Sequence, residues 1–150
     1  MQLIYLGTAA AEGIPGAFCS CAICQEARRL GGRNIRTRSQ ALIDRQLLLD
    51  LGPDTYLHTL YGRLDLRKVH TCLITHTHSD HLYAEELYNR CPGFAHMDAE
   101  FPLTVYGSAE TAAQLQAQLG GVLLDSDRVL TQTVEPFVTF ETHGYTVTPL

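Results

Sequence analysis

Residues 73–87, LITHTHSDHLYAEEL, place His76, His78, Asp80 and His81 within six positions, directly after an apolar segment. The preceding VHTCLIT (69–75) is rich in β-branched residues and apolar enough for a buried strand. Where such a strand runs into the motif, side chains at i and i+2 share a side, so His76 and His78 converge on one point. Two neutral imidazoles converging in this way make a corner for a first-row metal ion. Asp80 and His81 come where the chain turns toward the next helix, and they aim at a second point close by. Paired metal ions in hydrolytic sites lie about 3.5–4 Å apart, a distance one tight turn bridges. Thr77 and Ser79 are small and leave room for the ligands. The expected position is the C-terminal end of a strand, where open α/β sheets place their ligands.

The flanking sequence supplies a mixed frame. QLIYLGT (2–8) reads as a strand running into a Gly- and Ala-rich loop, and QALIDRQLLLDLG (40–52) as two strands with a reversal near Arg45-Gln46. Gly52-Pro53 marks a turn, and Pro53 opens a helix through DTYLHTLY. A further helix is expected over 83–90 and a strand over 101–107. Ser108 then caps a helix from 109 to 119 that ends at Gly120-Gly121. Two last strands, 138–142 and 145–150, flank a His143-Gly144 turn. Strands that first pair locally and then alternate with helices specify a mixed α/β class. The final apolar strand has no polar tail after it, so the expectation is a chain that stops inside a larger fold.

A second cluster, FCSCAIC, gives Cys19, Cys21 and Cys24. Three thiolates at this spacing wrap one Zn²⁺ tetrahedrally and leave a fourth position for a distant side chain; reduced thiols without metal are the plainer reading. Five cysteines in all suit a reducing, cytoplasmic compartment better than a disulfide framework. Sixteen acidic residues against 11 basic give a net charge of −5, which argues against a broad nucleic-acid footprint. The one basic concentration, EARRLGGRNIRTR (26–38), reads as a solvated loop, with Arg28, Arg29, Arg33, Arg36 and Arg38 as a candidate phosphate-facing rim. No apolar run reaches the length of a membrane span, and the N-terminus does not read as a signal peptide.

HxHxDH after an apolar strand resembles the hallmark of the metallo-β-lactamase superfamily, here His76, His78, Asp80 and His81. The resemblance implies an αββα sandwich with a one- or two-metal site at the edge between the sheets. It places His76 and His78 on one divalent ion (Zn²⁺ or Mn²⁺) and Asp80 and His81 on another, with Asp80 also helping to orient the attacking hydroxide. LGTAAAEGIP is similar to the loop after the first strand in these proteins. LLLDLG is similar to the segment whose Asp, here Asp50, supports the metal-binding loop. Together with Cys19, Cys21 and Cys24 as a structural zinc site, the pattern resembles the branch of phosphoribosyl 1,2-cyclic phosphate phosphodiesterases.

That resemblance implies a metal-dependent hydrolase of small cyclic or linear phosphodiesters. The same fold also serves thioester or lactone hydrolases and tRNA-processing nucleases, and a non-catalytic metal-binding or assembly protein is the reading from another class. Residues 1–150 then form the N-terminal portion of one domain, inactive alone, with the remaining ligands beyond Leu150. A dimer partner or a complementary C-terminal portion would cover its open face. His143 precedes the last strand and reads as a turn residue, and His58, His70 and His96 show no ligand spacing.

Overall fold

Six short segments, most of them largely buried, line up into one mixed sheet, in a computed structural model that describes residues 1–97, 101–121 and 127–150. The strands are β1 (Leu3–Gly7), β2 (Gln40–Ile43), β3 (Leu47–Leu49), β4 (Thr71–Leu73), β5 (Leu103–Gly107) and β6 (Val129–Thr133), adjacent in that order. β1, β2 and β3 form an antiparallel meander, after which β3 to β6 run parallel. Parallel neighbours need crossovers. These are α2 (Thr55–Leu60), a 3₁₀ turn at Ala84–Arg90, and α3 (Ala109–Leu119), while α1 (Ala22–Leu30) lies between β1 and β2.

Register shows why the crossovers pack on one face. Leu42, Leu48, Cys72 and Val105 stand opposite one another across β2 to β5, and all are buried. The crossover residues Leu64, Ala84, Leu87, Leu115 and Leu119 complete this core. On the other face the row Leu49, Leu73, Tyr106 is only half-buried. A hairpin of β7 (Phe140–Thr142) and β8 (Tyr145–Val147) begins a second layer there. Phe140 stacks on Tyr106 at 4.7 Å between ring centroids, and the Thr142 hydroxyl lies 2.9 Å from that of Thr71. Its turn residues His143 and Gly144 have φ of 45° and 83°, the left-handed pair that two-residue hairpins demand.

Most sequence expectations hold, and three elements differ. The helix expected over 83–90 is a 3₁₀ segment, tied down at its start by the Tyr83 N–H donating to the Leu51 carbonyl (2.6 Å). The stretch 26–38 is not one solvated loop, since α1 runs to Leu30 and buries Cys24 and Ala27, with Gly31 (φ 63°) ending it. β6 was not anticipated, because VLTQT gains its strand character from pairing with β5 rather than from its own alternation. Ser108 caps α3 as expected, its Oγ accepting from the Thr111 N–H at 3.3 Å.

Candidate metal centre

β4 ends at Leu73, and the motif begins three residues later. Beside it, at the end of β3, Asp50 adopts φ 64°, a left-handed conformation that an aspartate tolerates better than most residues. This turn aims a buried carboxylate at the start of the motif. Asp50 Oδ1 accepts from the Thr75 N–H (2.8 Å) and the Thr75 hydroxyl (2.9 Å), and Oδ2 lies 2.6 Å from His81 Nδ1. Thr75 Oγ1, with its proton committed to Asp50, is free to accept from His76 Nδ1 at 3.0 Å. One carboxylate therefore fixes two imidazoles, directly for His81 and through Thr75 for His76. Each ring keeps its proton on Nδ1 and presents the Nε2 lone pair.

The donor atoms of the motif lie close together. His76 Nε2 is 3.2 Å from His78 Nδ1, and His81 Nε2 is 3.2 Å from Asp80 Oδ2. The His76 ring also lies 4.0 Å from the His81 ring and 4.7 Å from the His78 ring, so the three imidazoles and Asp80 form one cluster. His76 and His78 are exposed, whereas Asp80 and His81 are partly covered. Hard carboxylate and borderline imidazole donors of this kind fit Zn²⁺, Mn²⁺ or Fe²⁺.

Gly52 sets how closely the motif approaches the sheet. A Cβ there would lie 2.2 Å from the Asp80 carbonyl oxygen and 3.1 Å from its carbon. The contact arises because Leu51 pins the loop, its N–H donating to the His81 carbonyl at 2.8 Å and its carbonyl accepting from Tyr83. In the sequence Gly52 reads as a turn residue and Thr75 carries no signal; neither has a metal-ligand side chain, so no spacing rule exposes them.

The cysteines also come together. The Sγ atoms of Cys19, Cys21 and Cys24 lie within 4.8 Å of one another, a soft donor set that fits one Zn²⁺. Cys24 is buried and its Sγ accepts from the Gly16 N–H at 3.4 Å, while Cys19 and Cys21 are exposed. Hydrogen bonds from the Cys24 backbone and from the Cys19 and Cys24 thiols lower the Cys21 thiol to about 7. Arg28 closes the loop, donating to the carbonyls of Cys19 and Gly16 at 2.7 Å each.

The arginine rim expected over 28–38 is thereby reduced. Arg28 holds the cysteine loop, Arg29 pairs with Glu26, and Arg38 pairs with Asp54 at 2.8 Å. Only Arg33 and Arg36 of the five stay available. His143 lies at the other end of β4 from the motif, with its Nδ1 3.0 Å from the Thr71 hydroxyl. His70 stacks on Phe101 at 4.0 Å, and burial lowers its pKa first, with His143 adding to the effect. His58 is buried beneath the site, where its Nδ1 donates to Gln40 Oε1 and desolvation lowers its pKa. His96 borders an apolar cavity of about 470 Å³ lined by Leu66, Leu87 and Met97. Cys72 and Cys91 are core residues.

No protein-family profile matches the chain. Ribonuclease Z of Listeria innocua is 28% identical over an alignment of 153 positions that covers 99% of this chain and 44% of the relative. Zn²⁺-bound PqqB from Methylobacterium extorquens superposes with a TM-score of 0.77 at 30% identity, covering 99% of this chain and 55% of that one. A diphosphatase from the PhnP family gives 0.73 at 21% identity, covering 96% and 54%. The chain thus spans about half the length of the proteins it matches. Its fold is that of the metallo-β-lactamase superfamily, as the motif led one to expect. Among the described residues no helix is long and apolar enough to cross a membrane. The expectation against nucleic acid is not supported, since relatives covering nearly the whole chain are ribonuclease Z proteins.

Proposed function

We propose that this chain is the N-terminal portion of a metal-dependent hydrolase that cleaves a phosphodiester. The observation that carries the reading is the gathering of His76, His78, Asp80 and His81 into one cluster at the end of β4, with His81 held by Asp50 and His76 held through Thr75. Divalent ions held there would supply Lewis acidity and a water acidified to near-neutral pKa. Asp80 is the residue assigned to orient the attacking oxygen. Asp50 and Thr75 keep the protons of His81 and His76 on Nδ1, so that the Nε2 lone pairs of these two rings stay free. The cysteine loop is assigned a separate structural Zn²⁺.

A nuclease of the same fold is the second reading, favoured by the match to ribonuclease Z along nearly the entire chain. The remaining donors, and a partner layer for the half-buried row Leu49, Leu73 and Tyr106, are assigned to a complementary C-terminal portion or a second copy.

Metal content per chain, measured alongside hydrolysis of bis-(p-nitrophenyl) phosphate, tests this reading. Three metal ions per chain and turnover abolished by His78→Ala are the expected result for the protein with its C-terminal portion. A single zinc held by the cysteines, with no turnover after Mn²⁺ addition, would move the assignment to a non-catalytic protein.

A further inference from the structure

A second concentration of charge lies outside the metal motif. A cleft of about 390 Å³ opens beside the end of β1 and is lined by Arg33, Arg36 and Arg63 together with Tyr5, Thr8 and Thr37. None of its lining residues is acidic, although the chain as a whole carries more carboxylates than basic groups. The arginines also remain largely uncommitted. Arg36 donates one N–H to the Thr8 hydroxyl at 3.3 Å, and Arg63 donates one to the Tyr5 carbonyl at 2.8 Å. Arg33 has no side-chain hydrogen bond or ion pair among the described residues. A guanidinium carries five N–H donors in a planar fork, so most of the donors of these exposed arginines have no protein partner among the described residues. Three unneutralised guanidiniums repel one another, and an anion relieves that repulsion by taking paired N–H bonds. Tyr5 adds a flat ring that is 62% exposed, so a face is free for stacking.

We propose that this cleft binds a phosphorylated nucleoside, the phosphate held by Arg33, Arg36 and Arg63 and the base stacked on Tyr5. Its position relates it to the metal motif. β1 is antiparallel to β2 and β2 to β3, so β1 runs with β3 and β4. The ends of β1 at Gly7 and of β4 at Leu73 therefore lie at the same edge of the sheet. Three strand spacings separate them, about 14–15 Å. A ligand reaching both places is longer than a single cyclic phosphodiester. Its identification as part of a substrate rests on the hydrolase reading, but the binding itself does not.

The test is titration of ¹⁵N-labelled chain followed by NMR through the arginine Nε–H signals, with EDTA present so that no metal ion contributes. The probes are adenosine 5′-monophosphate, adenosine, inorganic phosphate and a single-stranded pentaribonucleotide. The nucleotide is expected to shift the Arg33, Arg36 and Arg63 signals with an affinity above that of adenosine or phosphate alone. Arg33→Glu should weaken it at least tenfold, and Tyr5→Ala should reduce it to the level of inorganic phosphate. Tighter binding of the pentaribonucleotide would identify the source as a nucleic-acid strand, and equal binding would identify a free nucleotide; both support the site. Equal affinity for nucleotide and phosphate in the wild type, or unchanged affinity in Arg33→Glu, would overturn it. Because the readout is binding without metal, an inactive hydrolase and an absent nucleotide site give different results.

Discussion

Asp50 Oδ2 lies 2.6 Å from His81 Nδ1, while Oδ1 of the same carboxylate holds both the amide and the hydroxyl of Thr75. A single buried side chain at the end of β3 thus sets the tautomers of two rings on a neighbouring loop. Asp50→Ala should lower metal affinity at the histidine motif by about 10–100-fold, the usual cost of losing a partner behind a metal-bound imidazole. The cysteine loop, which Asp50 does not touch, should keep its zinc. Metal titration with the two classes separated by competition with a chelator checks this, and equal loss from both would point to general unfolding instead.

Gly52 provides a steric test of the same geometry. Its added Cβ would meet the Asp80 carbonyl oxygen at 2.2 Å, and backbone cannot swing aside as a side chain does. Gly52→Ala should therefore push residues 80 and 81 off the end of the sheet and destabilise the chain by about 1–3 kcal/mol, the range for overpacking. Urea unfolding measures the stability change. Weakened metal binding should accompany it, whereas an unchanged midpoint would show that the loop moves freely.

The sequence was most informative where side chains carry the chemistry. HxHxDH keeps its four donors together within one short loop, although β4 ends at Leu73 and strand alternation does not reach them, and the cysteine spacing brings three sulfurs together within one loop and the first turn of α1. What stayed hidden depends on contacts between distant segments. Thr75 and Gly52 matter because β3 and β4 are neighbours, which no local pattern states. The role of Arg28 was likewise invisible: its guanidinium bonds to two carbonyls nine and twelve residues away. β6 is a strand because β5 is beside it. Local propensity names elements, but partners across the sheet decide the short ones.

The cysteine loop makes a prediction separable from the histidines. Cys24 is buried and accepts from Gly16, while Arg28 clamps the loop from outside. Added Co²⁺ should give a thiolate-to-metal charge-transfer band that Cys24→Ser weakens and His78→Ala leaves in place. Zinc removal should lower the melting temperature, by about 2–4 °C for each kcal/mol of binding energy lost in a chain of this size. A charge-transfer band of undiminished intensity in Cys24→Ser would count against the three-sulfur site.

Beneath the metal motif, a buried hydrogen-bonded chain predicts how stability responds to acid. His58 Nδ1 is 2.5 Å from Gln40 Oε1, and Gln40 Nε2 donates to the Asp50 carbonyl (2.9 Å) and the Thr55 hydroxyl (2.8 Å). The other ring nitrogen is 2.7 Å from the Thr37 hydroxyl. Desolvation lowers the His58 pKa below the ordinary 6.5, against a smaller opposing effect of Asp54. The neutral ring is the form the fold holds. Above about pH 6.5 the unfolded chain is neutral there too, and the full contribution is present. As pH falls below that value the unfolded state takes up the proton first, so stability declines until the folded pKa is reached. The slope for one group cannot exceed about 1.4 kcal/mol per pH unit. Urea midpoints should thus fall between pH 7.5 and 5.5 more steeply for the wild type than for His58→Gln, which keeps a polar side chain but has no proton to gain. Parallel declines would assign the acid sensitivity to other groups and leave His58 outside it.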